Sequence, residues 1–360
     1  MAESVLLAGT RKGLFVGRSD AARATWTWDP PAFAMEEVYA TSVDQASGDV
    51  LVGSTHPAFG PAVYRSTDLG RTFDMESPAT VQFPQDTDAT VERVWQLQPS
   101  PCDPDVVWAG TQPSALFRSE DGGRSFALVR SLWDHPHRTQ WAAGFGGQAI
   151  HTILPHPTDP DIVTVAMSTG GVYRTHDRGE SWQPHNSGIR TDFLPDQEPP
   201  EFGQCVHKVA IDAHDPDVMY AQNHGGVFRS DDAGRTWQPI SDGLPADFGF
   251  PIVAHPRRSG TVYVFPLSAD ISRFPPGGKP AVWRSDDFGR TWHETGPGLP
   301  TEAWTAVLRD AFSADQGDPS GLFVGTRHGA IWASNDEGAS WSEIRANLPD
   351  VCCVRAAVVA

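Results

Sequence analysis

Short hydrophobic runs recur along the whole chain, and within each run apolar and polar positions alternate at the two-residue period of a β-strand. One run is VHKVAI at 206–211, and another, DVMYAQN at 217–223, follows it closely. Asp-Pro-Asp turns stand before the second runs, at 103–105, 159–161 and 215–217. Because β-branched and aromatic residues favour strands and Asp and Pro favour turns, the pattern predicts an all-β chain of short antiparallel strands.

A ten-residue motif recurs six times, with Ser or Thr at its third place, Asp at its fifth, Gly at its seventh and an aromatic residue at its tenth. Its copies are YRSTDLGRTF from Tyr64, FRSEDGGRSF from Phe117, YRTHDRGESW from Tyr173, FRSDDAGRTW from Phe228, WRSDDFGRTW from Trp283 and WASNDEGASW from Trp332. Consecutive copies start 49–56 residues apart, near the length of a four-stranded propeller blade. Asp accepts backbone hydrogen bonds in such turns and Gly adopts positive φ, so these aspartates are predicted to be structural.

The repeats predict one seven-bladed β-propeller of four-stranded blades over residues 1–360. Six blades carry the motif, and a seventh is expected from the two ends of the chain. Residues 4–29 supply three strands, and 351–359 supply a fourth that closes the ring and removes free sheet edges. The approximate blades are 4–29 with 351–359, 36–76, 91–129, 148–185, 204–240, 250–295 and 304–344.

The charge of the chain narrows its partners. The formal net charge is −18, which makes nucleic acid and anionic membranes unlikely partners. The sequence shows no signal-peptide pattern and no long apolar segment, and its four cysteines form no CxxC pair. We therefore expect a cytoplasmic protein without a disulfide framework.

The six motifs resemble the Asp-box, or BNR-repeat, β-propeller superfamily. That superfamily includes sialidases, xyloglucan-cleaving propellers, sortilin-type receptors and assembly factors of photosystem II. The chain is also similar to bacterial BNR-repeat proteins labelled glycosyl hydrolase or sialidase-like. It lacks the Arg-Ile-Pro motif of sialidases, and its nearest substitute, Arg11-Lys12-Gly13, does not match. Sialidase catalytic domains also have six blades, so the resemblance implies a glycosyl-hydrolase-like propeller without exo-sialidase activity.

Ligands of propellers usually bind where the loops between second and third strands meet those between blades. The first set of loops contains His56, Gln112, His224 and Arg273, together with the similar segments GTRKG at 9–13 and GTRHG at 325–329. Since the first and last blades are neighbours, Arg11, Lys12, Arg327 and His328 should lie close together. They are expected either to clamp an anion or to pair with nearby acids.

Two of the loops between blades are unusually long, and long ordered loops are often functional. Residues 130–148 contain Trp133, His135, His137, Arg138 and Trp141, which suit stacking on a sugar or aromatic ring. The alternative is a structural lid over the channel. The second long loop, residues 186–204, carries three acids, namely Asp192, Glu198 and Glu201.

Residues 56 positions apart should occupy equivalent places at the starts of first strands, beside the channel mouth. One such series is Tyr39, Trp95, His151 and His207. Two parallel series are Glu36, Glu92, Gln148 and Gln204, and Glu37, Arg93, Ala149 and Cys205. The repeated polar residues suggest a lined pocket, although a histidine in this strand can equally be a hydrogen-bonded core residue.

These residues lead to three hypotheses. The first is a hydrolase-like enzyme that acts on a small polar, anionic or glycan-type substrate, with His151 or His207 as general acid or base and Glu37 or Glu92 as its carboxylate partner. The expected substrate-binding residues are Arg11, Lys12, Tyr39, His56, Arg93, Trp95, His135, His137, Arg138, Trp141, His224, Arg273, Arg327 and His328. The second is a noncatalytic scaffold for a protein or other ligand. The third is a divalent metal held by His151 and His207 with His224 or His56, and apart from it no cofactor is expected.

Overall fold

Seven sheets arranged around a central axis make up the molecule. The computed structural model of the chain describes residues 2–44, 47–144, 147–191, 200–269 and 272–359. Within these ranges, seven antiparallel sheets have four strands each, and their inner strands contact one another in cyclic order. The predicted seven-bladed β-propeller is confirmed. No helix of these ranges is long and apolar enough to cross a membrane.

Each blade has an inner, a second, a third and an outer strand. From blade one to blade seven, the inner strands are Val351–Val359, Glu37–Val43, Arg93–Pro99, Ile150–Pro155, Val206–Ile211, Phe248–Ala254 and Phe312–Ala314. In the same order, the second strands are Glu3–Thr10, Val50–His56, Val107–Gln112, Val163–Met167, Met219–Asn223, Val262–Leu267 and Leu322–Gly325. The third strands are Gly13–Asp20, Gly60–Ser66, Ala115–Ser119, Gly171–Thr175, Gly226–Ser230, Trp283–Ser285 and Ile331–Ser334. The outer strands are Thr27–Trp28, Ala79–Thr80, Ala127–Leu128, Gln183–Pro184, Gln238–Pro239, His293–Glu294 and Ser342–Arg345.

Short helices occur only in loops of the described chain. They are the α-helix Arg130–Trp133 and the 3₁₀-helices Gln85–Thr87, Pro136–Gln140 and Pro276–Gly278. Two of them lie in the long loop between blades three and four.

The two ends of the chain close the ring. The inner strand of blade one, Val351–Val359, pairs antiparallel with Glu3–Thr10, and the register sets Glu3 opposite Val359. The predicted closure is therefore confirmed. A buried ion pair of 2.8 Å between Arg23 and Asp315 adds a second link between blades one and seven.

The six Asp boxes form one repeated turn between the third and outer strands, and the box of blade four shows its chemistry. Asp177 accepts hydrogen bonds from the Thr175 and Ser181 hydroxyls, each 2.6 Å long, and from the Ser181 N–H. The hydrogen bonds from Ser181 and then Thr175 lower the pKa of Asp177 to about 2. Gly179 adopts a φ of 92°, and its N–H donates to the Thr175 hydroxyl. The boxes are structural, as predicted.

Neighbouring blades are joined through the last residue of the box. The Trp237 indole N–H donates to the carbonyl of His185 in the preceding blade at 3.0 Å, and Trp292 donates to Ile240 at 2.7 Å. Nearer the axis, a glycine allows close approach, since a Cβ on Gly110 would lie 2.3 Å from the Ile150 carbonyl oxygen. A tryptophan between the outer parts of two blades and a glycine near the axis allow neighbouring sheets to lie closer together at the axis than at the rim.

Candidate functional site

A cavity of about 960 Å³ occupies the propeller axis at the end where the inner strands of blades two to six begin. All seven blades or their loops contribute to its lining. Its charged and imidazole side chains are Arg11, Arg93, Arg273, Arg309, Arg327, His207, His224 and His328. No Asp or Glu belongs to the lining formed by the described residues. The axial cavity is therefore cationic on a chain whose net charge is −18.

Four of its aromatic residues supply flat apolar surface, namely Tyr39, Trp95, Phe250 and Phe274. The Tyr39 and Trp95 rings lie 4.9 Å apart between centroids, and the Arg93 guanidinium lies 4.5 Å from the Tyr39 centroid. A cation held over an aromatic face combines an apolar surface with a positive charge. This pairing suits a ligand that has both a ring and an acidic group.

A β-bulge recurs at the equivalent position of four inner strands. In blade two, Val38 and Ala40 pair with consecutive residues of the second strand, which leaves Tyr39 as the extra residue. The same irregularity leaves out Trp95, His151 and His207 in the next three blades. Because bulges redirect side chains and often stand beside functional sites, the bulge accounts for the position of Tyr39, Trp95 and His207 in the channel wall.

Two acids behind the wall form ion pairs with three of the arginines. Glu37 pairs with Arg93 at 2.7 Å and with Arg11 at 3.2 Å. Asp350 pairs with Arg327 at 2.8 Å and with Arg11 at 3.3 Å. The structure thus brings Arg11 and Arg327 together, as expected from the similar loops, and they share one acid. The pairing with nearby acids is thus observed, and the anion clamp stays a prediction for a cluster that faces the cavity.

Arg309 differs from these arginines because it is buried and no described residue supplies a counter-ion to it. Only 8% of the residue is exposed, and no described residue forms a hydrogen bond or ion pair with its guanidinium. The group lies 5.3 Å from the Phe250 ring centroid and 5.7 Å from that of Trp95. Burial lowers the pKa of Arg309, whereas Cys205 and Asp310 act in the opposite direction. A buried, unpaired guanidinium is costly unless a ligand supplies the missing acceptors.

Cys205, His207 and His224 form a compact cluster in the wall of the cavity. The Cys205 Sγ and His207 Nε2 atoms are 3.6 Å apart, and the other ring nitrogen of His207 lies 2.6 Å from the Gly249 carbonyl oxygen. Burial, followed by the nearby charge of Arg309, lowers the pKa of His207 well below its ordinary value. This direction favours the neutral imidazole, which suits a base or a ligand better than a cation.

His151 lies outside the cavity lining, which gives no support to the expectation that it acts as a catalytic acid or base. The residue is fully buried. Its Nε2 lies 3.0 Å from the Val206 carbonyl oxygen, and its Nδ1 lies 3.2 Å from the Thr152 hydroxyl. Burial, then Arg309 and Lys208, lowers its pKa well below the ordinary value. The bulge turns this side chain into the packing between blades four and five.

The described part of the long loop, residues 130–144 and 147–148, directs its large side chains against one another and against blade four. His137 Nδ1 and Trp141 Nε1 both contact the Tyr173 hydroxyl, at 3.1 and 3.0 Å. His135 packs edge-on against the Tyr173 ring, and Arg138 lies 3.4 Å above the Trp133 ring. These side chains are outside the axial cavity, which the loop reaches through Gly144 and Gly147 instead. Their expected ligand contacts therefore find no support.

Three more expected residues also lie outside the cavity lining. His56 accepts hydrogen bonds from the N–H groups of Ala58 and Phe59 in its own turn. Glu92 is exposed and accepts a hydrogen bond from Gln112, and the Lys12 side chain is exposed. Asp192 and Glu198 lie outside the described residues.

The most informative residue that the sequence analysis missed is Arg309. It stands in the irregular entry to the short inner strand of blade seven, where the 56-residue spacing no longer applies. Cys205 was aligned with the channel mouth but not considered as a ligand. The segment Cys205-Val206-His207 was a usable signal, because residues two apart in a strand point to the same face.

Comparison with known proteins supports the fold and the repeat. The model of the BNR-Asp box repeat matches residues 282–295. A xyloglucanase of Paenibacillus sp is 28% identical over 166 residues, which cover 41% of this chain and 14% of that enzyme. The chain thus spans a small part of that relative.

Two solved structures share the architecture. The GH74 enzyme of Niastella koreensis has a TM-score of 0.59 and 16% identity, and the match covers 93% of this chain and 55% of that one. YCF48 bound to D1 peptide has a TM-score of 0.54 and 14% identity, and the match covers 85% of this chain and 81% of that one. The closed ring and these structures show a seven-bladed β-propeller, and one of its six Asp boxes lies in the segment that matches the BNR-Asp box repeat.

Proposed function

We propose that the protein is a hydrolase-like enzyme that binds a small anionic, glycan-type substrate in the axial cavity. The observation that carries this proposal is the buried guanidinium of Arg309, which has no counter-ion among the described residues. Guanidinium groups bind carboxylates and phosphates through charge-assisted hydrogen bonds, so an acidic substituent would satisfy it. Trp95 and Phe250, the rings beside it, would contact the body of the ligand.

The acid–base chemistry of such an enzyme would come from imidazole. Glycosidases generally use two carboxyl groups that flank the scissile bond, and the described cavity lining has none. Glu37 stands behind the wall, where Arg11 and Arg93 hold it. His224, which is half-buried and lines the cavity, is the better placed candidate for proton transfer.

The relatives support a glycan ligand in general terms. The Paenibacillus protein is a xyloglucanase, and the Niastella structure is a GH74 enzyme. A narrower apolar groove of about 470 Å³ between blades six and seven includes the exposed Trp304 and shares Thr305 and His328 with the axial cavity. A ligand longer than one sugar would have room to extend into it.

Recognition of a peptide carboxylate is a second candidate. YCF48 was solved with a peptide and matches this chain over most of both lengths, and a cavity rich in arginine but without acids suits binding as well as catalysis. This alternative predicts that a peptide with a free carboxyl group binds and is released unchanged.

Calorimetric titration with matched ligand pairs tests the proposal. Glucuronate and glucose differ in one carboxylate, and a short peptide can be compared with its amidated form. We expect glucuronate to bind at least about tenfold more tightly than glucose, as one charge-assisted hydrogen bond would provide. Equal affinity for the two sugars would refute the anionic site, and a preference confined to the free peptide would favour the second candidate.

Turnover is tested separately with a chromogenic β-glucuronide and α-glucuronide. His224→Ala should lower kcat with a smaller effect on binding, because removing a general acid or base costs about 10²- to 10⁴-fold. Arg178→Met provides the control, since Arg178 is an exposed arginine on the Asp-box turns and pairs with Asp161. Equal turnover in the His224→Ala variant and the wild type would remove His224 from the reaction.

A further inference from the structure

Three potential metal ligands converge in the wall of the axial cavity. The donor atoms of Cys205, His207 and His224 all lie within 4.8 Å of one another. The Sγ–Nε2 separation of Cys205 and His207 is 3.6 Å. Two ligands of one tetrahedral zinc ion, with bonds of about 2.3 Å to sulfur and about 2.0 Å to nitrogen, are separated by about this distance. The pair therefore has the spacing of a metal site before any rearrangement.

The backbone holds the three side chains in this arrangement. Cys205 stands directly before the inner strand of blade five, and the bulge at His207 brings its ring to the Cys205 sulfur. His224 directly follows the second strand, and its N–H donates a hydrogen bond of 2.9 Å to the Cys205 carbonyl. Ligands on two paired strands lose little conformational freedom on binding, as a built site requires.

The outer contact of His207 sets its tautomer. Its Nδ1 lies 2.6 Å from the Gly249 carbonyl oxygen, which can only accept a hydrogen bond, so Nδ1 carries the proton. The lone pair of Nε2 then faces the Cys205 sulfur. Metal-binding histidines generally show this arrangement, in which a carbonyl or carboxylate orients the ring from behind.

We propose that Cys205, His207 and His224 bind one divalent transition-metal ion of the zinc type. Thiolate and imidazole together suit this class of ion, and three protein ligands leave a fourth position open. That position faces the axial cavity, because Cys205, His207 and His224 all belong to its lining. The site differs from the histidine set expected from the sequence, since it includes a cysteine and excludes His151 and His56.

A bound ion would add positive charge to the wall that already contains Arg309, with the Cys205 thiolate offsetting part of it. The affinity for an anionic ligand should then rise when the metal is bound. This consequence rests on the proposed function, whereas the metal site does not. When the ion is bound, the His224 imidazole is a ligand and cannot transfer protons, so the turnover of His224→Ala is compared with that of the wild type in metal-free protein.

Cobalt provides a direct probe of the site. Protein treated with a chelator is titrated with Co²⁺, which in a tetrahedral site shows d–d bands in the visible region and a thiolate charge-transfer band in the near ultraviolet. We expect both bands to saturate at one equivalent and to disappear when Zn²⁺ is added. Absence of the charge-transfer band from the wild-type protein would overturn the proposal.

Matched variants identify the ligands. Cys205→Ser should abolish the charge-transfer band. His224→Ala should weaken Co²⁺ binding by more than about 100-fold, which exceeds the loss caused by mutation of a residue that only orients a metal ligand. Cys102→Ser, which removes an exposed thiol far from the cluster, and His328→Ala, which removes an exposed imidazole at the cavity, should leave both bands unchanged. Circular dichroism verifies that each variant is folded. A band that persists in folded Cys205→Ser protein would also overturn the proposal.

The anion titration separates the two proposals. Glucuronate is titrated into zinc-free and zinc-loaded protein. If the protein binds one equivalent of Co²⁺ but does not bind glucuronate, the metal site is retained and the proposed function is refuted. Glucuronate binding without a cobalt signal would do the reverse.

Discussion

Replacement of Arg309 by methionine should weaken anion binding without weakening the fold. The residue is 8% exposed and has no ion-pair partner among the described residues, so the folded protein bears the cost of burying its charge. That cost is several kcal/mol for a buried ion. The rings of Phe250 and Trp95, at 5.3 and 5.7 Å, offset part of it, with up to about 2 kcal/mol for each cation–π contact. Methionine keeps the apolar contacts and removes the charge.

We therefore expect Arg309→Met to leave the free energy of unfolding unchanged or to raise it by about 1–2 kcal/mol. Loss of one charge-assisted interaction of about 1.5–3 kcal/mol should weaken glucuronate binding by about 10- to 100-fold. Urea unfolding and calorimetric titration of the same protein preparation measure the two quantities.

Arg23→Met is the matched control, because Arg23 is also buried but pairs with Asp315 at 2.8 Å. It should destabilise the protein by about 3–5 kcal/mol, since it leaves a buried carboxylate unpaired. Glucuronate affinity of its folded fraction should be unchanged. A destabilised Arg309→Met protein with normal affinity would show that Arg309 is structural and would refute the reasoning.

Three further predictions concern the fold and the buried histidine of blade four. The pKa of Asp177 is lowered to about 2, below its unfolded value of about 3.9, so its contribution is complete above that value and is lost as the pH falls towards 2. Asp177→Asn should lower the free energy of unfolding by about 1 kcal/mol at pH 7 and by less at low pH. Urea unfolding at the two pH values measures this difference, and an equal loss of stability at both would contradict the prediction. Asp315→Ala should cost about 3–5 kcal/mol by orphaning the buried Arg23, and a loss below about 1 kcal/mol in thermal unfolding would contradict this. His151→Ala should cost about 2–4 kcal/mol through lost packing and hydrogen bonds, but change glucuronate affinity less than about threefold; a larger change in calorimetry would return His151 to the site.

The fold could be predicted from the sequence because the feature that repeats in it, the Asp-box turn, is formed by residues close together in the chain. Each Asp box contains its own turn, since Asp177 binds Thr175 and Ser181 within four residues on either side. Six copies in phase then fix the length of a blade. Closure depends on a long-range pairing, but the unpartnered segment 351–359 was the natural complement of the N-terminal strands.

The site was only partly readable, because it depends on how the blades differ from one another. The 56-residue series led to Tyr39, Trp95 and His207, since a bulge recurs at the same place in the inner strands of blades two to five. His151 belongs to the same series but is held in the core by hydrogen bonds to its neighbours, which is the alternative that the sequence left open for these histidines. Arg309 could not be predicted from the sequence, because the loop that leads into the inner strand of blade seven does not keep the 56-residue spacing.

A crystal structure with bound glucuronate tests the central claim most directly. We predict that the ligand lies in the axial cavity, that its carboxylate is within hydrogen-bond distance of the Arg309 guanidinium, and that its ring contacts Trp95 or Phe250. Glucuronate bound elsewhere on the propeller, or an Arg309 guanidinium left without ligand contacts at saturating concentration, would contradict the account.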